Sequence, residues 1–163
     1  MFRRAKEMGQ AAYTRQTMIG PITLIETDGA LSEARFDTEC PPNAEVLETP
    51  LLASAFLELD QYFAGKRECF TIPLHPVGTP FQLKCWEMLL SIPYGERCAY
   101  GDEAAAIGNP KACRAVGGAN HCNPLPIFIP CHRVVGKNGM LVGYGGGLAI
   151  QKKLLELENK SKG

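Results

Sequence analysis

The five residues Pro76-Val77-Gly78-Thr79-Pro80 constrain the fold more than any other segment of this chain. Proline lacks a backbone N–H, fixes φ and restricts the residue before it. No helix or strand can therefore run through two prolines that flank a glycine. The chain is expected to divide here, into an N-terminal unit over residues 1–76 and a C-terminal unit over residues 77–163. A length of 163 residues is enough for two small units with real cores.

The two halves carry different periodicities. Thr17-Met18-Ile19-Gly20 and Ile22-Thr23-Leu24-Ile25 are strand-like runs, and Asp28-Gly29 is a hairpin turn leading to Ala30-Leu31 and Ala34-Arg35-Phe36. Leu52, Phe56, Leu59 and Phe63 recur at helical spacing over residues 51–63, with Gly65 as the stop. Phe70-Thr71-Ile72-Pro73-Leu74 reads as a further short strand. This is a small α+β unit, and its first ten residues are expected to be loosely ordered. Beyond the break, Thr79 can cap and Pro80 begin a helix bearing Phe81, Cys85, Trp86, Leu89 and Leu90. Tyr100 to Ile107 predicts a short helix. Gly108-Asn109 makes a turn, with Asn109 capping and Pro110 opening a second helix to Ala119. Helix, short turn and helix make a helix-turn-helix. A last helix is expected from about Leu148 to Glu158.

The second helix of that pair is nearly bare. Ala112, Ala115, Gly117, Gly118 and Ala119 leave almost no side chain on it. A helix reading bases in a major groove would carry Asn, Gln, Arg and Ser. A smooth helix with one arginine suits close backbone approach to a narrow minor groove, with Arg114 as a candidate intercalating side chain. A phosphate contact or surface ion pair is the plainer role for Arg114. The charge distribution points the same way. Residues 1–103 hold 15 acids and 9 bases, a local charge of −6, whereas residues 104–163 hold 2 acids and 8 bases, or +6. From Ala104 to Leu155 there is no acid, but Lys111, Arg114, Arg133, Lys137, Lys152 and Lys153 are present. A long acid-free basic segment is the footprint of a polyanion partner.

Seven cysteines at irregular spacing, with no CxxC pair, exclude a disulfide framework and a zinc ribbon. Cys40, Cys69, Cys85, Cys98 and Cys113 read as small fillers, while Cys122, beside His121, lies closer to the chemistry. Free thiols suggest a reducing compartment. No apolar run approaches membrane-spanning length, and the basic Met1-Phe2-Arg3-Arg4 start precedes no signal-type apolar stretch. A cytoplasmic protein without membrane contact is expected. No glycine-rich stretch fits a cofactor template, since Gly143-Tyr144-Gly145-Gly146-Gly147 is neither GxGxxG nor a P-loop.

Pro130-Cys131-His132-Arg133-Val134 carries the reactive candidates. Cys131 stands where the apolar run Ile127-Phe128-Ile129, read as a buried strand, breaks at a proline, and an imidazole follows. A thiolate is a strong nucleophile, and a nearby base or electropositive site makes it accessible at neutral pH. Glu158 lies four residues after Leu154 and three after Leu155, on the apolar face of the last helix. An acid there needs a partner, and His132 would supply it.

The stretch from Asn123 to Gly136, with Pro130-Cys131-His132-Arg133-Val134 at its centre, resembles the active-site signature of the O6-alkylguanine-DNA alkyltransferases, the methylated-DNA–protein-cysteine methyltransferases. The resemblance continues through Phe81-Gln82, Ile92-Pro93-Tyr94-Gly95-Glu96, Ile107 to Ala119, Gly143 to Ala149 and Leu154 to Glu158, covering about the C-terminal half. It implies an RNase-H-like α+β N-terminal domain and a mostly helical, winged helix-turn-helix-like C-terminal domain. The implied reaction is irreversible transfer of an alkyl group from O6-alkylguanine in double-stranded DNA, and from O4-alkylthymine, to Cys131. Each chain, a monomer, would react once, with no cofactor. His132 would act as base through a water, and Glu158 would orient it. Tyr100 would serve base rotation and protonate guanine, and Asn123 would brace the turn. The carbonyls of Cys131 and Val134 would receive the guanine amino group, with Tyr144 beside the base. Gly145 stands where the family often has serine, which puts strict methyl preference in doubt. Arg114 would fill the space of the flipped nucleotide, with Lys111, Ala112, Gly117, Gly118 and Arg133 also on the DNA. Some relatives hold zinc in the N-terminal half; Cys40, Cys69 and His75 are too few here, so no metal is expected. The competing readings are a non-catalytic lesion-sensing relative, a plain helix-turn-helix regulator and a Cys–His hydrolase.

Overall fold

The computed structural model describes residues 9–136, 139, 141, 144 and 146–162. The chain divides into two compact units, Met1–Pro76 and Val77–Gly163. Of the ten residues expected to be loosely ordered, 1–8 lie outside the described residues. Gln10 already pairs with Thr27 in the first strand.

The N-terminal unit is a four-stranded sheet with one helix. Strands β1 (Gln10–Thr17), β2 (Gly20–Thr27) and β3 (Ala30–Arg35) form an antiparallel meander, and β4 (Glu45–Val46) adds in parallel to β1, giving the order β3-β2-β1-β4. Asp28 (φ 50°) and Gly29 (φ 84°) make the tight turn between β2 and β3, both in the left-handed region that such hairpins require. The core joins Ala12, Ile22, Leu24 and Leu31 of the sheet to Leu52, Ala55, Phe56, Leu59 and Tyr62 of α1 (Pro50–Phe63). Thr49 caps α1 by accepting from Leu52 N–H at 3.1 Å. Two expected strands are corrected. Met18-Ile19 is the reversal between β1 and β2. Residues 70–74 form no strand; Pro73 interrupts the ladder, and only the Leu31–Leu74 bridge survives.

The C-terminal unit begins with α2 (Pro80–Leu89). Its start is a full capping box: Thr79 Oγ1 accepts from Gln82 N–H at 3.1 Å, and Gln82 Oε1 accepts from Thr79 N–H at 3.0 Å. β5 (Cys98–Ala99), α3 (Tyr100–Ala106) and α4 (Cys113–His121) follow. The helix-turn-helix order is present, but α4 starts later than expected. Asn109 to Ala112 closes a turn, with Ala112 N–H reaching Asn109 O at 3.0 Å, and Pro110 serves that turn's second position rather than opening the helix. A single 3-10 turn over Cys131–Arg133 leads into β6 (Val134–Val135), which pairs in parallel with β5. The chain ends in α5, Leu148–Lys162, one turn longer than the apolar pattern alone predicts. Trp86 of α2 donates from Nε1 to Ala119 O at 2.8 Å and so pins α4. Among the described residues no helix is long and apolar enough to cross a membrane.

Gly78 must be small. A Cβ built there would lie 2.5 Å from Trp86 Cη2 and 2.8 Å from Gln82 Oε1. Gly78→Ala would push on a buried ring and the capping box together. The expected loss is about 1–3 kcal/mol, read as a lower urea midpoint. An unchanged midpoint would show that the ring can move away freely.

Candidate active site

Residues 123–131 close into one loop around an asparagine. Asn123 Nδ2 donates to Ile129 O at 2.9 Å and lies 3.1 Å from Cys131 Sγ, while its Oδ1 accepts from Leu125 N–H at 2.9 Å. Ile129 N–H returns to Leu125 O at 2.8 Å. Ile127-Phe128-Ile129 is buried, but it is a turn and not the strand that its apolar character suggests. Ile127 turns the corner at φ 75°. A β-branched residue there is strained by about 1–3 kcal/mol, which the loop's hydrogen bonds must hold in place. The loop delivers Cys131 to the head of the 3-10 turn at 6 % exposure.

Burial pushes the Cys131 thiol up to about 12, against the opposing pull of the Asn123 hydrogen bond. The resting group is therefore a thiol. The expectation that its neighbours free a thiolate at neutral pH is corrected: burial keeps the proton on sulfur, and among the described residues no cation pairs with it.

His132 and Glu158 are both out of water, at 0 % and 1 % exposure, with Nε2 and Oε2 2.6 Å apart. A carboxylate can only accept, so the ring proton sits on Nε2. Nδ1 is buried with no hydrogen-bond partner among the described residues and keeps its lone pair. Burial holds the imidazole below its ordinary range, though Glu158 opposes this, so the ring is a neutral base. Burial alone would raise the Glu158 carboxyl. The hydrogen bonds from His132 and Arg133 reverse that and hold it far below the usual carboxylate range.

Arg133 does not lie on a DNA-facing surface, as its place in the basic segment had suggested. It is 6 % exposed. Its Nε and Nη2 donate to the two Glu158 oxygens at 2.9 and 3.0 Å, Nη1 donates to Ile92 O at 2.7 Å, and the guanidinium stacks 5.7 Å from the Tyr94 ring centroid. Its Nε, Nη1 and Nη2 each donate inward, and at 6 % exposure the side chain presents little surface to a phosphate.

The other expected residues fall in three places. Tyr100, half-buried at the start of α3, and Tyr144, 7 % exposed, both lie within electrostatic reach of Cys131; burial raises both phenols, so they stay protonated. Val134 is buried, with its carbonyl accepting from Gln151 Nε2 at 3.3 Å and its N–H donating to Cys131 O. Each carbonyl keeps a second lone pair. On α4 and the turn before it, Lys111, Arg114 and Gly118 are exposed, and Ala112 and Gly117 are partly so. The Tyr100 ring lies against Gly117, 3.7 Å from where a Cβ would stand. Cys122 is exposed at the end of α4. Gly145 and Lys137 lie outside the described residues. Among the described residues, no group of three or more His, Cys, Asp and Glu side chains could hold a metal ion.

Two contributors escaped the sequence reading. Gln151, 1 % exposed, donates to His132 O at 3.2 Å as well as to Val134 O, and so fixes the 3-10 turn from α5. Its spacing was a usable signal, since Gln151, Leu154, Leu155 and Glu158 stand at i, i+3, i+4 and i+7 on one face. Glu103 is buried at 0 % and accepts from Asn120 Nδ2 at 2.7 Å. It sits amid alanines on a short helix and offered no periodic cue.

The Glu158 cluster makes a stability prediction. Its folded pKa is depressed, so the stabilisation is present above the ordinary carboxylate range of about 4.3 and is lost as pH falls towards the folded value. Glu158→Gln leaves Arg133 charged and unpaired, which should cost about 3–5 kcal/mol near neutral pH. The gap to wild type in urea melts should narrow in acid. A gap independent of pH would mean that the loss is one of packing alone.

Comparison with known proteins gives consistent results over both units. Residues 80–160 match the family model for the DNA binding domain of 6-O-methylguanine DNA methyltransferase, and residues 12–76 match the model for its ribonuclease-like domain. The constitutive methylated-DNA–protein-cysteine methyltransferase of Bacillus subtilis is 46 % identical over 156 residues, which is 91 % of this chain and 94 % of that one. The Mycobacterium leprae methylated-DNA–protein-cysteine methyltransferase is 52 % identical over 143 residues, covering 86 % and 87 % of the two chains. The crystal structure of Mycobacterium tuberculosis OGT in complex with DNA superposes with a TM-score of 0.86 at 41 % identity, over 93 % of this chain and 94 % of that one. With both units matched and nearly the whole length aligned, this chain belongs to the methylated-DNA–protein-cysteine methyltransferase family.

Proposed function

We propose that this protein repairs DNA by direct reversal, moving the alkyl group of O6-alkylguanine onto Cys131 in a single irreversible turnover. The observation that carries this reading is the buried Cys131 thiol, hydrogen-bonded to Asn123 and followed by a neutral His132 whose Nε2 is held by Glu158. The relatives' names and the DNA complex of the M. tuberculosis neighbour support the substrate class.

The sulfur proton passes to His132 Nδ1, directly or through a water, as sulfur attacks the alkyl carbon. The new S–C bond forms as the C–O6 bond breaks, and its electron pair stays on guanine. Tyr100, which burial keeps protonated, supplies a proton to the departing base and recovers one from the imidazolium. The balance is thiol plus O6-alkylguanine to thioether plus guanine. A thioether cannot leave again, so one chain accepts one group. O4-alkylthymine presents the same ether chemistry and is a second substrate.

A buried thiol cannot meet a stacked base, so the nucleotide must be flipped, at a cost of a few kcal/mol. The exposed face of α4, with Arg114 beside Ala115 and Gly118, supports minor-groove docking with Arg114 in the vacated space. Lys111, Ala112 and Gly117 flank that face. Val134 O and Tyr144 receive the base. The protein acts as a cytoplasmic monomer.

Incubation with duplex containing O6-methylguanine should raise the intact mass by one methyl group, mapped to the Cys131 peptide. Cys131→Ser should take up none yet bind DNA nearly as well, because oxygen is almost isosteric but far less nucleophilic. Multiple turnovers, or the methyl on Cys122, would overturn the reading. Arg114→Ala should slow repair of duplex more than reaction with free O6-benzylguanine. Equal losses on both would remove the flipping role. Binding to unmodified duplex should fall steeply with salt and vary little with sequence, as phosphate contacts require.

A further inference from the structure

Glu103 is a buried ionisable group that the transfer reaction does not use. It is fully buried on α3, and among the described residues its carboxyl takes one hydrogen bond, the 2.7 Å contact from Asn120 Nδ2 of α4. Its other oxygen, Oε2, is buried with no hydrogen-bond partner among the described residues, and so is Asn120 Oδ1. Two bare acceptors in an interior are costly for a carboxylate, whereas a proton on Oε2 turns one of them into a donor.

Among the described residues the neighbouring titratable groups are mostly acids, with Lys84 of α2 in electrostatic reach of Cys85 as the cation on that side. α2 brings Cys85, β5 brings Cys98, α3 itself brings Tyr100 and Asp102, and the 3-10 turn brings Cys131. Asp102 is occupied at the helix start, accepting from Ala99 N–H at 3.0 Å. α4 offers Asn120 and the exposed His121, and β6 only Val134 and Val135. Among the described residues no lysine, arginine or histidine pairs with Glu103. Three thiols and a phenol, each negative when ionised, thus lie within electrostatic reach of one carboxyl. A negative Glu103 raises Cys131, Cys98, Cys85 and Tyr100 alike.

We propose that Glu103 is a positioning residue for alkyl transfer: neutral, it ties α3 to α4 beneath Tyr100 and Cys131, and ionised, it opposes removal of the Cys131 proton. This rests on the alkyl-transfer reading of Cys131. Burial, opposed by the Asn120 hydrogen bond, pushes the Glu103 carboxyl up to about 7, so the change falls in the physiological range. The sign is fixed by the raised value. The folded protein holds this proton more tightly than the unfolded chain does. Stability from this group therefore falls as pH rises from the ordinary glutamate value to the folded one. Over the same upper range the thiol becomes harder to ionise.

The test compares wild type with Glu103→Gln, which keeps an acceptor for Asn120 but cannot ionise, from about pH 6 to about pH 8.5. Two probes read Cys131: O6-benzylguanine, and iodoacetamide with peptide mapping. The ratio of variant to wild-type rate should be flat at the acid end and rise several-fold through neutrality with both probes. A purely structural role gives a ratio independent of pH, and that result overturns the proposal. The iodoacetamide arm reads Glu103 even if benzylguanine never reacts, in which case the alkyl-transfer reading alone falls. Glu103→Met, similar in volume and also without charge, should reproduce the rise. Should neither variant fold, infrared titration of the wild type decides. A neutral-carboxyl stretch that disappears through neutrality supports the proposal, and its absence at the acid end overturns it.

Discussion

One buried carboxylate organises the candidate site. Glu158 takes donors from His132 Nε2, Arg133 Nε and Nη2, and Gly95 N–H, the last at 3.1 Å. Those donors come from the 3-10 turn and from the turn after Ile92, and Arg133 reaches Ile92 O as well. A buried ion pair is weak evidence for stability, because desolvation offsets most of the attraction. Its effect here is geometric. The carboxylate forces the proton onto Nε2, and that choice leaves Nδ1 as the basic atom. Exchanging the cluster for packed hydrocarbon could preserve the fold, but it would erase the orientation of the imidazole.

The chemistry that follows depends on withholding charge. Cys131 is kept as a thiol by burial, His132 is kept neutral, and Tyr100 and Tyr144 are kept protonated. Glu158 is held ionised by direct donors, paired with the Arg133 cation. A thiolate exposed at rest would be lost to any passing electrophile. A thiol that loses its proton only when a base and an electrophile are both in place avoids that waste. Glu103 fits the same pattern, as a carboxyl placed where a negative charge is least welcome.

The bare face of α4 follows from a different constraint. Trp86 holds Ala119 from one side, and the Tyr100 ring lies on Gly117 from the other, so α4 is fixed by contacts along its inner face. The outer face is then free to be small. Among the described residues nothing lies within 4 Å of where a Cβ at Gly118 would stand, so its smallness answers to none of those neighbours. That observation, together with exposed Arg114, favours an external surface pressed close to the backbone of α4.

Much of this was legible in the residues. Thr79-Pro80 announced a capped helix start, Asp28-Gly29 a hairpin, and Pro130 a break in the chain ahead of Cys131, because each depends on local backbone chemistry. Glu158 could be placed on an apolar face from its spacing to Leu154 and Leu155, so its need for a partner was visible too. What could not be read was which groups meet. Arg133 looked like a surface cation by its position in a basic stretch, yet it is buried because Glu158, 25 residues away, accepts it. Glu103 and Asn120 carry no periodic signal, and only the packing of α3 on α4 brings them together. Pro110 was a valid helix opener that a turn claimed instead. Local preference, turn chemistry and the choice of Cys131 as candidate nucleophile belong to the sequence, since they act over a few residues. Burial, protonation and partner choice were decided by the tertiary structure, since a charge's cost is set by what surrounds it.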